Sequence, residues 1–240
     1  MRMTDKDFLY ALKLPPEKAI AFFKKKGIKV PDNWETLWEN AQYSAFTVAK
    51  IANADILQLV KEELQKSMDK GLTLATFKKN IKNILQQGGW LNRAIVEDGI
   101  EKEMPGYRWN TIYRTNLQTS LMAGRWKEQY DNASSRPMWK YVAVMDSKTR
   151  PTHAVLNGII ARYNDPFWAT HYPPNGFNCR CRIRAMTEDE APEASDLSNI
   201  EVKPDKGWAY NPGQESFKPD LRNYDSEIRS QLKNSLKKEA

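Results

Sequence analysis

The stretch that decides the fold runs from Trp139 to Arg184 and reads WKYVAVMDSKTRPTHAVLNGIIARYNDPFWATHYPPNGFNCRCRIR. It contains both histidines and both cysteines of a chain of 240 residues. Imidazole nitrogens and thiolate sulfurs are the usual ligands of tetrahedral zinc, so this stretch predicts either a metal-stabilised structural unit or a catalytic one. The four residues are His153, His171, Cys179 and Cys181.

The hydrophobic pattern of this stretch has the two-residue period of β-strands. Apolar and polar side chains alternate over residues 139–145, and shorter strand patterns cover residues 159–161 and 179–183. The turn sequence Asn157-Gly158 precedes the second of them. Three short strands form a small sheet, which needs a bound metal ion or covering helices to be stable.

A zinc site would use Cys179 and Cys181 together with His153 and His171. In a regular strand, the two sulfurs of a Cys-x-Cys pair lie on one face but too far apart for tetrahedral coordination, so a bulge is required. The alternative is two buried thiols beside hydrogen-bonded histidines. We therefore expect either one structural zinc ion or no cofactor.

Asp146, Arg150 and His153, in the sequence DSKTRPTH, support a catalytic alternative. His153 would act as acid or base and Arg150 would bind phosphate, as in a metal-dependent or histidine-dependent toxin-like nuclease or nucleotide transferase. The structural alternative is a turn in which Asp146 accepts backbone N–H groups and pairs with Arg150. No nucleophile elbow, paired carboxylates or phosphate-binding glycine loop accompanies the three residues, so we predict that the chain is not an enzyme.

The charge of the chain is concentrated in its central part. The net charge of the whole chain is +7, while residues 108–184 alone carry +8, and nine of their twelve basic residues are arginines. Arginine suits phosphate and carboxylate partners, so the segment predicts contact with nucleic acid or an acidic protein; a solvated basic face is the alternative. The candidate contact residues are Arg114, Arg125, Arg150, Arg162, Arg180, Arg182 and Arg184.

The first 98 residues have helical patterns. Pro16 begins a short helix that Gly27 caps, with the lysines at 24–26 facing water. Apolar spacing over residues 34–70 predicts one long helix of about 55 Å, which Gly71 ends. Thr73 caps a further helix.

Residues 89–106 have the composition of a loop, and the helical pattern resumes at Tyr107. Asn116 and Ser120 lie on the apolar stripe of this helix, which predicts that they hydrogen-bond the sheet module; a polar helix edge is the alternative.

Beyond Arg184 the sequence becomes acidic and rich in proline. It predicts an extended arm, held locally by Trp208 and Tyr210, and a final helix over residues 221–236. We therefore predict an α+β fold with a helical N-terminal region containing a long helix, a small mixed helix and β-sheet module, and an extended arm ending in a helix. The corresponding domains are residues 1–98, 99–186 and 187–240. No apolar run is long enough to cross a membrane, and the N-terminus has no signal-peptide pattern.

Four motifs follow one another in a specific order. They are the Arg-Thr-Asn of TIYRTNLQTS, the Asp-x-x-Thr-Arg-x-x-His of DSKTRPTH, the sequence His-Tyr-Pro-Pro-Asn, and Cys-Arg-Cys-Arg. With these motifs the chain resembles the phage head morphogenesis family, which includes Mu F-like proteins and the SPP1 minor head protein. The resemblance covers approximately residues 10–215.

The resemblance implies a minor capsid protein of a tailed phage or prophage, located in the head interior of the virion and in the host cytoplasm during assembly. Its implied partners are the portal protein, other capsid or scaffold proteins, and DNA during packaging or ejection, with no membrane and with oligomeric contacts only inside the head. Some members of that family carry a toxin or enzyme domain after the module. Since the sequence continues for only 56 residues after Arg184, we expect that domain to be absent.

Overall fold

The computed structural model describes residues 16–28, 45–46, 51, 53–97, 100–191 and 193–216. These residues form the predicted α+β fold. Its helices are α1 (Pro16–Lys25), α2 (Ala54–Lys70), α3 (Leu74–Gln87), α4 (Gly106–Asp131), α5 (Pro151–Ala154), α6 (Phe167–His171) and α7 (Pro212–Ser216). Its strands are β1 (Gly27–Ile28), β2 (Ala45–Phe46), β3 (Ile95–Glu97), β4 (Ile100–Lys102), β5 (Met138–Val142), β6 (Ile160–Arg162) and β7 (Arg182–Met186).

Helix α4 connects two hydrophobic cores. Trp109 and Leu117, from its first half, belong to a helical core formed with α1, α2 and α3. Met122, from its second half, belongs to a sheet core that includes Trp139 and Tyr141. A helix of 26 residues is about 39 Å long, which is enough to contribute to both cores.

The long helix predicted for residues 34–70 is shorter than expected. Helix α2 starts at Ala54, because the Asn53 side chain caps it by accepting hydrogen bonds from the N–H groups of Asp55 (2.8 Å) and Ile56 (3.2 Å). Upstream, Ala45–Phe46 forms a parallel strand pair with Gly27–Ile28. The N-terminal region does contain a long helix, of 17 residues, but the prediction was wrong at residues 45, 46, 51 and 53, and the other residues from 34 to 52 lie outside the described part.

The end of α1 also differs from the prediction. Gly27 belongs to β1 and is not a helix cap, and Lys26 is only 4% exposed instead of facing water. Burial, followed by the charge of Lys61, lowers the pKa of Lys26 to about 7. The lysine is enclosed because the chain passes directly from the helix into the strand pair.

Residues 89–106 are not simply a loop. They contain a 3₁₀ turn, Leu91–Arg93, and an antiparallel hairpin in which Ile95 is paired with Lys102. The prediction failed here because each strand has only three residues, too few for a periodic pattern. The predicted cap of α3 by Thr73 is confirmed, since its hydroxyl accepts from the N–H of Thr76.

The three-stranded sheet has the order β6-β5-β7 and is antiparallel throughout. Trp139 lies opposite Ala161 on one side and Ala185 on the other. Its three strands correspond to those predicted, with shifted ends. The largest shift concerns the third strand, which begins at Arg182, so Cys179 and Cys181 precede it.

The segment after β7 returns over the sheet module without regular structure from residue 193 to residue 211. As predicted, Trp208 holds it: the side chain is 1% exposed and its ring lies 5.1 Å from that of Phe177. The predicted helix over residues 221–236 lies outside the described residues. Within the described residues, every helix is too short or too polar to span a bilayer.

Candidate functional site

Three of the four predicted zinc ligands meet in the interior of the sheet module. His153 lies on α5, and Cys179 and Cys181 lie just before β7; all three side chains are buried. Their potential ligand atoms lie within 4.8 Å of one another, and His153 Nδ1 is 3.6 Å from the sulfur of Cys181. We call these residues the His-Cys cluster.

The chain before β7 bends in a way that brings the two sulfurs together. Asn178 has a φ of 57°, a left-handed conformation that asparagine tolerates better than most residues. The N–H of Cys179 then donates to the carbonyl of Gly176 at 3.2 Å, which closes a turn. The cysteines are therefore outside the regular strand, so the spacing problem expected for a strand does not arise.

His171, the fourth predicted ligand, is not part of the His-Cys cluster. Its Nδ1 is 2.8 Å from the Thr170 hydroxyl and its Nε2 is 2.9 Å from the carbonyl of Val202. The ring also stacks on Phe167 at 4.4 Å. Both nitrogens are thus engaged elsewhere, whereas Nε2 of His153 is buried without a hydrogen-bond partner among the described residues.

The thiols of the His-Cys cluster have unequal acidities. The pKa of Cys181 is lowered to about 5, first because Cys179 hydrogen-bonds to it and further because His153 and Tyr141 do so, although burial acts in the opposite direction. The pKa of Cys179 is raised by that same contact with Cys181 and by burial. The cluster therefore favours one thiolate, on Cys181, next to an imidazole.

Asp146, Arg150 and His153 have separate side-chain partners. Asp146 accepts two hydrogen bonds from Arg180, at 2.7 and 2.5 Å, and not from Arg150 as the turn alternative proposed. Arg150 donates to the carbonyl of Phe177 at 2.8 Å. No side-chain hydrogen bond joins any two of the three within the described residues.

Four of the seven candidate contact arginines have acidic partners within the chain. The pairs are Arg150 with Asp205 at 3.7 Å, Arg162 with Glu188 at 2.7 Å, Arg180 with Asp146 at 2.5 Å, and Arg184 with Glu190 at 2.8 Å. Arg125 is half-buried on α4, and Arg182 is exposed on β7. The acidic residues after β7 thus neutralise part of the basic module.

Arg114 instead lines a basic cavity of about 600 Å³ between α3, α4 and the segment before β7. Lys78, Lys148 and Arg180 also line it, and no acidic residue appears among the described residues of its wall. Lys78, Arg114 and Lys148 have no acidic partner in the described part of the chain. The positive charge of these three side chains is therefore uncompensated within the described residues.

Three buried polar atoms of residues in the cavity wall have no hydrogen-bond partner among the described residues. They are Asn110 Oδ1, Thr115 Oγ1 and Trp208 Nε1. The hydroxyl and the indole N–H are donors and Asn110 Oδ1 is an acceptor.

The sequence of the chain matches a known protein family. The sequence profile of the family described as "Phage Mu protein F like protein" matches residues 58–184, which include the complete His-Cys cluster and most of the basic cavity. The chain belongs to this family. Relatives within the Mu F-like group include "Putative capsid assembly protein F" of Escherichia phage Mu, which is 36% identical over 89% of this chain and 58% of that protein.

A second relative, "Mu-like prophage FluMu F protein" of Haemophilus influenzae, is 39% identical over 65% of this chain and 38% of that protein. This chain therefore spans only part of the length of both Mu F-like relatives. No solved structure matches it.

In this Mu F-like chain, the contacts between α4 and the sheet module come from residues that the sequence did not indicate. Asn116 and Ser120 bond to carbonyls of their own helix, those of Ile112 and Asn116. Gln118 and Gln129 instead donate to the carbonyls of Cys181 (3.3 Å) and Ile183 (2.9 Å). Glutamine reaches further than asparagine or serine, but without the position of β7 the sequence carries no signal for these two bonds.

Lys78, Asn110, Lys148 and Trp208 were missed for the same reason. They lie far apart in the sequence and form one cavity only after α3, α4 and the arm have packed. The sequence shows an excess of basic residues, but it does not show which of them lack an acidic partner in the folded structure.

Proposed function

We propose that this chain is a minor capsid protein that acts in phage head morphogenesis by binding other head components. The observation that carries this proposal is the 36% identity over 89% of the chain to a protein named for capsid assembly. Membership of the Mu F-like family agrees with it. The chain corresponds to only 58% of that relative, so the activity of the whole protein is part of what we propose.

The architecture is consistent with a protein that acts by binding. Helix α4 connects the two cores, and the arm returns onto the sheet module through Trp208 and Asn211. The ion pairs of Arg150, Arg162 and Arg184 attach later segments to that module. Such a unit presents a fixed surface, as an assembly component requires.

The portal protein and other capsid or scaffold proteins are the partners that we propose, inside the head of the virion. Co-expression of the chain with the portal and major capsid proteins of its own gene cluster tests this. We expect the chain to co-purify with the portal protein and to sediment with assembled heads. Heads that assemble and sediment normally while the chain remains at the top of the gradient would contradict the proposal.

Packaged DNA is the further partner that we propose, at the basic cavity. Lys78, Arg114 and Lys148 supply positive charge there, and none of the three has an acidic partner among the described residues. Phosphate groups carry the negative charge and the acceptor oxygens that lysine and arginine side chains bind.

Fluorescence anisotropy with a double-stranded oligonucleotide, measured at several salt concentrations, tests the DNA contact. Replacing Arg114 and Lys148 together by alanine should weaken binding and reduce the salt slope by roughly 2, because about one counterion is released per phosphate contact. Arg162→Ala is the matched control, since that arginine already pairs with Glu188. Equal slopes for all three proteins would exclude the cavity as the DNA contact.

A further inference from the structure

We propose that His153, Cys179 and Cys181 bind one zinc ion in the interior of the sheet module. The ion would join α5 to the segment before β7, two parts of the chain that are 26 residues apart at their closest ligands. The linkage between these two segments does not depend on which head component the chain binds.

The separations in the His-Cys cluster are close to those that zinc imposes. With Zn–S bonds of about 2.3 Å, Zn–N bonds of about 2.05 Å and tetrahedral angles, a sulfur and a nitrogen ligand are about 3.6 Å apart. His153 Nδ1 and Cys181 Sγ are 3.6 Å apart. The third ligand atom, from Cys179, lies within 4.8 Å of both, so a small movement of one side chain completes the set.

The residues around the sulfurs provide donor groups that zinc-bound thiolates can use. The Tyr141 hydroxyl lies beside the sulfur of Cys181. The backbone N–H groups of Asn175 and Cys181 lie beside the sulfur of Cys179. Donors of this kind orient ligands and spread their negative charge, which favours metal binding in a buried site.

Asn175 provides an independent observation. Its side chain is fully buried, and Nδ2 donates to the Tyr141 hydroxyl at 3.2 Å. Its Oδ1 is buried without a hydrogen-bond partner among the described residues. Three protein ligands with one water molecule form an established zinc arrangement, and a buried water molecule needs polar partners such as this amide.

His171 shows what a histidine without a metal looks like in the same module. Both of its nitrogens have hydrogen-bond partners, Thr170 and Val202, and its ring stacks on Phe167. Among the described residues, the His153 ring has a hydrogen-bond contact only with Cys181, and its Nε2 is buried there without a hydrogen-bond partner. The two histidines therefore form a matched pair for an experiment.

The test uses the full chain, purified under reducing conditions without a metal-affinity column after growth with added zinc. Elemental analysis should find close to one zinc ion per chain. Replacement of zinc by cobalt should give the absorption bands of tetrahedral cobalt with thiolate ligands. The two thiols should react slowly with a thiol reagent, and at least tenfold faster once a chelator has removed the metal.

His153→Asn and the double variant Cys179→Ser with Cys181→Ser should lose the zinc, while the control variant His171→Asn should retain it. Wild-type protein with almost no zinc and no cobalt–thiolate bands would overturn the proposal without using any variant. Retention of zinc by a folded His153→Asn variant would overturn the ligand assignment. Neither result affects the head-association experiment, so failure of the metal site and failure of the proposed function are distinguishable.

Discussion

Arg180 determines how its two cysteine neighbours are oriented. Its guanidinium group forms a two-bond contact with Asp146, and the two side chains are only 15% and 24% exposed. Residues 179 and 181 then lie on the opposite side of the chain, in the interior. A two-bond arginine–carboxylate contact fixes direction as well as distance, so the pair positions the His-Cys cluster.

The Asp146–Arg180 pair should make the stability of the fold depend on acid pH. Hydrogen bonding by Arg180 holds the pKa of Asp146 well below its usual range. A carboxylate whose pKa is lowered in the folded state contributes stability above its unfolded pKa, about 3.9, and this contribution is lost as the pH falls towards the folded-state value. Asp146→Asn should therefore lower the urea midpoint at pH 7, and the difference from wild type should shrink steadily below about pH 4.

Glu188→Gln is the control for that measurement. Glu188 also pairs with an arginine, but both side chains are more than half exposed, so the change should lower the free energy of unfolding by less than about 0.5 kcal/mol. Equal effects of the two substitutions at pH 7 would show that Asp146 has no special role.

Sequence reasoning identified the residue types at this site but not their pairs. The four histidine and cysteine side chains were identified because they are rare and close together in the sequence. Asp146 was assigned to Arg150, four residues away, whereas its partner, Arg180, is 34 residues away. Pairs at that separation are set by how strands assemble, and a single sequence does not record this.

At the level of secondary-structure elements, α4 hydrogen-bonds the sheet module through Gln118 and Gln129. Gln129 donates to the carbonyl of Ile183 on β7 and accepts from the hydroxyl of Tyr172, whose side chain is buried. Strand β7 pairs with β5 along one edge only, and the Gln129 side chain provides a hydrogen-bond partner for a carbonyl on β7. The same side chain also provides a partner for the buried Tyr172 hydroxyl. Gln118 makes a single, longer contact of 3.3 Å with Cys181.

Gln129→Ala should therefore destabilise the protein by about 2 kcal/mol, because it leaves a buried hydroxyl and a backbone carbonyl without partners. Gln118→Ala should cost clearly less, about 1 kcal/mol or below. Urea unfolding followed by far-UV circular dichroism measures both changes. A neutral Gln129→Ala substitution would mean that water replaces the side chain and that α4 is not held to β7 in this way.

The helix pattern of the sequence predicted α1, α3 and α4 well and misplaced the start of α2. Apolar residues continue at helical spacing through residues 34–51, which extended the prediction. Two features make the helix begin only after residue 53. They are the side-chain cap by Asn53 and the packing of Phe46 against Phe23, with ring centres 5.9 Å apart. The first is local and could be read from the sequence, while the second depends on contacts between distant segments.

At the scale of the whole molecule, α4 makes the two cores dependent on each other. Its first half is buried among α2 and α3, and its second half packs on the sheet module. Breaking the helix between Leu117 and Met122 would expose apolar surface in both cores, so separate unfolding of one core is unfavourable. The two cores are therefore expected to unfold together.

Leu64→Ala tests this dependence, because Leu64 is fully buried in the helical core and far from the cysteines in the sequence. The substitution should destabilise the protein by about 3 kcal/mol through lost burial and a cavity. Circular dichroism mainly reports the helices, and pulse labelling of Cys179 and Cys181 by a thiol reagent reports the sheet core. Both urea midpoints should fall by the same amount. A fall in the helical signal alone, with thiol protection unchanged, would show that α4 joins two units that unfold independently.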